Sequence, residues 1–180
     1  MNSSRRSFLK KGLVGGALLA CGGAAGLLAR PGDLARHPRA PLAALTAYEY
    51  AIFAAAAARL CPGDGAAGWP TAESLDTTGK LDTLVAQLHP RAIKEFRQLL
   101  HVFESALTGL VTAGAPRPFT RSSPAEQDQR LEAWRHSRVA LFRSGYQAMK
   151  RLSHAIYYSS PDIYARLGYP GPPVVPQGPA

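Results

Sequence analysis

Apolar positions from Thr46 to Gly168 recur every three and four residues. No segment alternates with a period of two for long enough to make a strand. "TAYE" (Thr46–Glu49) forms a capping box, with Thr46 and Glu49 placed to satisfy each other's backbone N–H. It predicts a helix through an alanine tract to Leu60, ended by Pro62 and the glycines after it. "DTTGKLDTLVAQLH" predicts a short second helix. Ile93, Phe96, Leu99, Leu100, Phe103, Leu107, Leu110 and Val111 share one face of a third, with Pro90 at its first turn and Gly114 beyond its end. "SPAE" (Ser123–Glu126) is a second capping box, opening a long helical run to about Ser159. Leu131, Trp134, Val139, Phe142, Tyr146, Met149, Leu152 and Ile156 line that run, which Gly145 and the serines are expected to bend. "SPDIYARLG" predicts a last short helix capped by Ser160 and ended by Gly168. The expected fold is all-α, a single small helical bundle of about four main helices with no internal repeat.

The two ends of the chain do not fit that pattern. "SRRSFLKKG" places Arg5, Arg6, Phe8, Leu9 and Lys10 before the uncharged run "GLVGGALLA". The order S-R-R-x-F-L-K resembles the bacterial twin-arginine export signal, and the apolar run has signal-peptide length. "LLAC" resembles a lipobox in which Cys21 would be acylated, although Leu19 is not the residue usually preferred beside Ala20. Cleavage between Gly22 and Ala44, or retention of Gly12–Ala29 as an anchor of just spanning length, are the alternatives. Residues 1–29 therefore read as signal or anchor, 30–45 as a Pro- and Arg-rich linker, 46–168 as the helical domain and 169–180 as an extended Pro/Gly tail.

The signal changes the reading of charge. The net charge of +9 falls to +5 without the four basic residues before Cys21. No basic stripe with interleaved aromatics remains, so nucleic acid is not the expected partner.

Catalytic patterns are missing from the sequence. "GDGAAG" (Gly63–Gly68) matches G-x-G-x-x-G literally, but "CP" precedes it where a strand should stand and "WP" follows where a helix should begin. It reads as a surface loop. The histidines lack metal-ligand spacing, and there is no haem-attachment motif. Cys61 reads either as a buried small apolar residue or, in an oxidising compartment, as half of an intersubunit disulfide.

Four stretches resemble a known family: "YEYAIFAAAAARLCPGDG", "KLDTLVAQLHPRAIKEFRQLLHVFE", "RLEAWRHSRVALFRSGYQAMKRL" and, above all, "YYSSPDIYARLGYPGPP". They are similar to gluconate 2-dehydrogenase subunit 3, the small subunit of bacterial membrane-associated flavin dehydrogenases, a family that includes the gamma subunit of FAD-dependent glucose dehydrogenase. The resemblance implies a non-catalytic accessory chain with no cofactor of its own. Its implied partner is a large glucose–methanol–choline-type subunit carrying FAD, with a multihaem cytochrome c as a further subunit. The small subunit would carry the signal to the twin-arginine translocase and help the large one mature and leave the cytoplasm. The expected location is the periplasm, at the inner membrane through the partner, a lipid on Cys21 or an uncleaved signal. Trp69 and Pro70 on the loop, with Tyr157, Tyr158, Tyr169, Pro170, Gly171 and Pro172 near the tail, are the expected partner contacts. A free-standing envelope lipoprotein, acting as a binding or scaffold module, is the alternative, and an enzyme in its own right is a weaker third.

Overall fold

The computed structural model describes residues 36–63, 68–114 and 116–172. The signal residues Arg5, Arg6, Phe8, Leu9 and Lys10, together with Cys21, lie outside them, as do Asp64–Ala67 of the glycine-rich loop and the tail from 173 on.

The described chain is all-α, as the periodicity predicts. Its helices are α1 (Ala47–Leu60), α2 (Thr77–Ala86), α3 (Pro90–Glu104), α4 (Ala106–Ala113), α5 (Pro124–Arg135), α6 (Ala140–Tyr158) and α7 (Pro161–Leu167), with a 3-10 turn at Phe119–Arg121. Both capping boxes form, at Thr46 with Glu49 and at Ser123 with Glu126. Ser160 occupies the N-cap of α7 but makes no side-chain capping bond, and Gly168 ends that helix in the left-handed conformation.

α1 is the central element. It packs against α2, α3, α5, α6 and the 3-10 turn. Its alanines explain how: Ala51, Ala55, Ala56 and Ala57 are buried and let neighbouring helices approach closely, while Ile52 and Phe53 fill the gaps between them. A second part of the core is aromatic. Phe103 lies 4.4 Å from Phe119 and 4.8 Å from Trp134, and Trp134 stacks on Phe142 at 4.8 Å, which joins α3, the 3-10 turn, α5 and α6.

Three expectations need correction. The run from Pro90 to Ala113 is two helices, broken at Ser105, which ends α3 and caps α4 through its hydroxyl to Leu107 N at 3.2 Å. The break takes Leu107, Leu110 and Val111 off the core face, leaving them 49, 49 and 75% exposed.

The run from Pro124 is also two helices. They are separated by His136–Val139, so Val139 is exposed rather than buried. α6 runs unbroken through Gly145. A Cβ there would lie 2.7 Å from the Trp134 ring and 2.8 Å from Leu99 Cδ1, so the missing side chain makes room for Trp134.

The linker is part of the fold from Arg36 on. Asp82, buried on α2, accepts from Ala43 N, Ala44 N and Leu45 N at 2.6, 3.0 and 2.7 Å, and Arg39 donates to Glu73 O at 2.9 Å.

Candidate functional site

The loop after α1 closes against the C-terminal end of α6. His154 Nε2 lies 2.8 Å from Leu60 O, the Cys61 thiol points to Ser153 O at 3.8 Å, and Tyr157 OH donates to Pro70 O at 2.7 Å. Gly63 is required at the base of this loop, because any Cβ would collide with Pro70 O. Tyr158 stands perpendicular to Tyr157 and to His154, with centroids 5.2 and 5.6 Å away. Past α7 the chain folds back: Tyr169 N donates to Tyr164 O at 2.9 Å and the two rings meet edge to face at 5.2 Å. A Cβ on Gly68 would lie 3.2 Å from Arg166 Nη1, so α7 also borders the loop.

The structure thus gathers Cys61, Trp69, Pro70, Tyr157 and Tyr158 at one end of the bundle, but not all of them face outward. Tyr157 is fully buried and serves to hold the loop. Burial raises its phenol pKa, and Cys61 and Tyr158 add to the rise. Trp69 is partly buried and packs on the chain's own core. Cys61 is buried, and burial pushes its thiol up to about 12, so of the two readings of this residue the geometry fits the small core residue. Tyr169 and Pro170 are exposed, Pro172 likewise, and Gly171 is half-buried.

Two carboxylates that the pattern reading did not single out as a site organise the interior. Glu49 is 1% exposed. Its Oε1 accepts from Arg97 Nε at 2.7 Å and lies 3.0 Å from His101 Nε2, while Oε2 takes Thr46 N at 2.8 Å. Burial pushes its pKa upward, but the bonds from His101, Arg97 and Thr46 outweigh that and hold it at about 2. Glu104, also buried, accepts from Thr120 N at 2.9 Å, Thr120 Oγ1 at 2.5 Å and Tyr48 OH at 3.3 Å. Here burial wins and the carboxyl pKa is raised, against the opposing effects of Thr120, Tyr48 and Arg130.

Arg130 is buried nearby. It donates to Phe103 O at 3.4 Å and Arg117 O at 2.5 Å, tying the last turn of α3 to the segment before the 3-10 turn. Thr108 Oγ1 bonds the same end at Val102 O, 2.8 Å away. The spacing of Arg97 and His101, four residues apart on one helix, is the sequence signal that could have revealed the first cluster.

A cavity of about 30 Å³ beside Arg39, Tyr50, Asp76 and Thr77 has room for roughly one water. Among the described residues no group of three or more His, Cys, Asp or Glu is placed to hold a metal ion, and no helix is long and apolar enough to cross a membrane. No protein-family model matches the chain, and no curated protein or solved structure matches it either.

Proposed function

We propose that this chain is a non-catalytic small subunit of an envelope flavoprotein dehydrogenase, which carries the twin-arginine signal for a larger FAD-containing subunit and helps it mature and cross the membrane. The observation that carries the reading is the run Ser4–Lys10, with every position of S-R-R-x-F-L-K filled. Twin-arginine export takes cargo that is already folded. A small helical domain gives no evident reason of its own for that route, whereas a flavin-loaded companion would. The similarity of Tyr157–Pro173 to gluconate 2-dehydrogenase subunit 3 supports the same companion.

The structure supports the weaker statement that the chain presents surface for binding. Leu107, Leu110 and Val111 form an exposed apolar strip on α4, and Tyr169 and Pro170 stand out from the tail. A free-standing lipoprotein is the second reading, favoured by Cys21 directly after "LLA". The test is Arg5→Lys with Arg6→Lys, with the dehydrogenase activity of the companion assayed in periplasm and membrane. Loss of that activity from both is expected. Full activity there would overturn the carrier reading.

A further inference from the structure

The corner between α5 and α6 has a composition that neither the bundle nor the proposed partner contacts explain. It reads "RHSRVALFR", from Arg135 to Arg143. Val139 and Leu141 are 39 and 45% exposed at its tip, although the helical period assigns Val139 to the core. Arg138 and Arg143 flank them. Arg143 Nη1 donates back to Ser137 O at 2.6 Å, which brings that guanidinium to the turn. The acid on the last turn of α5 before the corner is Glu132, engaged by Arg135 at 3.5 Å and His136 at 2.8 Å.

The surroundings make the asymmetry larger. α6 carries Arg143, Lys150 and Arg151 and no acidic residue over its whole length. α1 and α2, which pack on it, have one carboxylate each, Glu49 and Asp82, both buried and bonded; α4, packed on α5, has none, and Asp162 of α7, which also packs on α6, follows the opposite, C-terminal end of that helix. On α5 itself Asp128 is paired with Arg59 and Glu126 is bonded back to Ser123. Among the described residues, then, the corner is an uncompensated cationic patch with two aliphatic side chains at its apex.

We propose that this corner docks the domain on an anionic phospholipid surface, with Val139 and Leu141 entering the headgroup region and Arg138 and Arg143 meeting lipid phosphates. Charge complementarity selects the occupant: guanidiniums without a carboxylate partner favour an anionic surface, and exposed apolar residues set between arginines suit insertion into a headgroup layer. This inference does not depend on the dehydrogenase reading. It would hold equally for a free-standing envelope protein.

The test is sedimentation of the full chain with vesicles of phosphatidylglycerol and phosphatidylcholine in equal parts, and with phosphatidylcholine alone. The N-terminal segment is common to every variant, so the differences report the corner. Arg138→Gln with Arg143→Gln should weaken partitioning into the anionic vesicles about 25-fold, at about fivefold per arginine, and leave the neutral vesicles unaffected. Val139→Ser with Leu141→Ser should weaken it as well, and high salt should abolish the difference between parent and arginine variant. All four positions are exposed, so thermal melting of the variants should match the parent. A control pair, Arg91→Gln with Lys94→Gln on α3, removes the same charge elsewhere and should change little. Equal loss in the control pair would overturn the proposal, as would undiminished vesicle binding by the arginine variant. Loss of retention on a polyglutamate column with vesicle binding intact would assign the corner to an acidic protein and overturn it too.

Discussion

Replacing Glu49 by Gln removes one buried charge and leaves almost everything else in place. Gln can still take the Thr46 N–H, since the capping box tolerates either residue. What disappears is the shared anion between Arg97 and His101. The magnitude follows from proton linkage. Glu49 has a pKa of about 2 in the fold against an ordinary value of 4.5. Each unit of separation is worth about 1.4 kcal/mol, which gives roughly 3 kcal/mol of stability near neutral pH. Arg97 and His101 are 41 and 37% exposed, so solvent screens their side of the pair and about 2 kcal/mol is the better expectation.

The sign is fixed. The folded pKa is depressed, so this stability is fully present above pH 4.5 and is lost as pH falls toward 2. Glu49→Gln should therefore melt about 8 °C below the parent at pH 7, with the gap closing as the pH is lowered from 4.5. Thermal unfolding by circular dichroism at pH 7, 5, 4 and 3 measures it. A gap that stays constant across this range, or one below about 1 °C at pH 7, would refute the reasoning.

Glu104→Gln should behave in the opposite sense. Its carboxyl pKa is raised by burial, so its contribution is greatest when protonated and falls as pH rises above 4.5. The variant should gain on the parent with rising pH in the same melts. Asp82→Ala strips three backbone N–H groups of their acceptor and should cost about 3 kcal/mol. Its local signature is faster tryptic cleavage after Arg39, and a parent-like cleavage rate would exclude the clasp. Gly145→Ala should cost about 1–3 kcal/mol by pushing on Trp134 and Leu99, read from urea unfolding. Cys61 should resist alkylation in the folded chain and react on unfolding. If the proposed companion copurifies, free subunits on non-reducing electrophoresis are expected, and a covalent heterodimer would favour the disulfide reading of this residue instead.

Local chemistry made the helices legible. Both capping boxes, Pro90 at the start of α3 and Gly168 after α7 are encoded by residues that satisfy or end a single helix. The two breaks were not legible, because an apolar period of three to four persists across them. At Ser105 the deciding terms are tertiary: Glu104 bonded to Thr120 and Tyr48, and Arg130 inserted from α5 onto Phe103 O. Those residues are 16, 56 and 27 positions from their partners, beyond any local window.

The Asp82 clasp escaped for the same reason. A composition rich in Pro and Arg reads as linker whether or not a carboxylate 37 residues on receives its N–H groups. Of the expected contact residues, Trp69 is partly buried against the chain's own core and Tyr157 is fully buried, which the sequence alone does not distinguish from exposure. An aromatic residue is equally apolar whether it covers its own core or a partner's.

α6 sets the distance between the two surfaces on which function is proposed. The cationic corner lies at its first residues, and the loop and tail with Tyr158 lie at its last. At 1.5 Å per residue the two ends of this 19-residue helix stand about 27 Å apart. Its interior is fixed by Phe142, Tyr146, Met149 and Ile156, all buried, so the spacing is rigid rather than adjustable. A domain resting on lipid through Arg138, Val139, Leu141 and Arg143 would hold Tyr158 and the loop that carries Trp69 up to that distance above the headgroups. A protein of the periplasmic space bound there would sit beside the bilayer without having to insert in it. If α6 is such a spacer and the proposed companion is bound, substitutions at the corner should release the two together from anionic membranes. Truncation after Gly168 should do the reverse, parting the subunits while this chain stays on the membrane. The two losses separate only if the surfaces are independent, and a rigid helix between them is the physical reason to expect that they are.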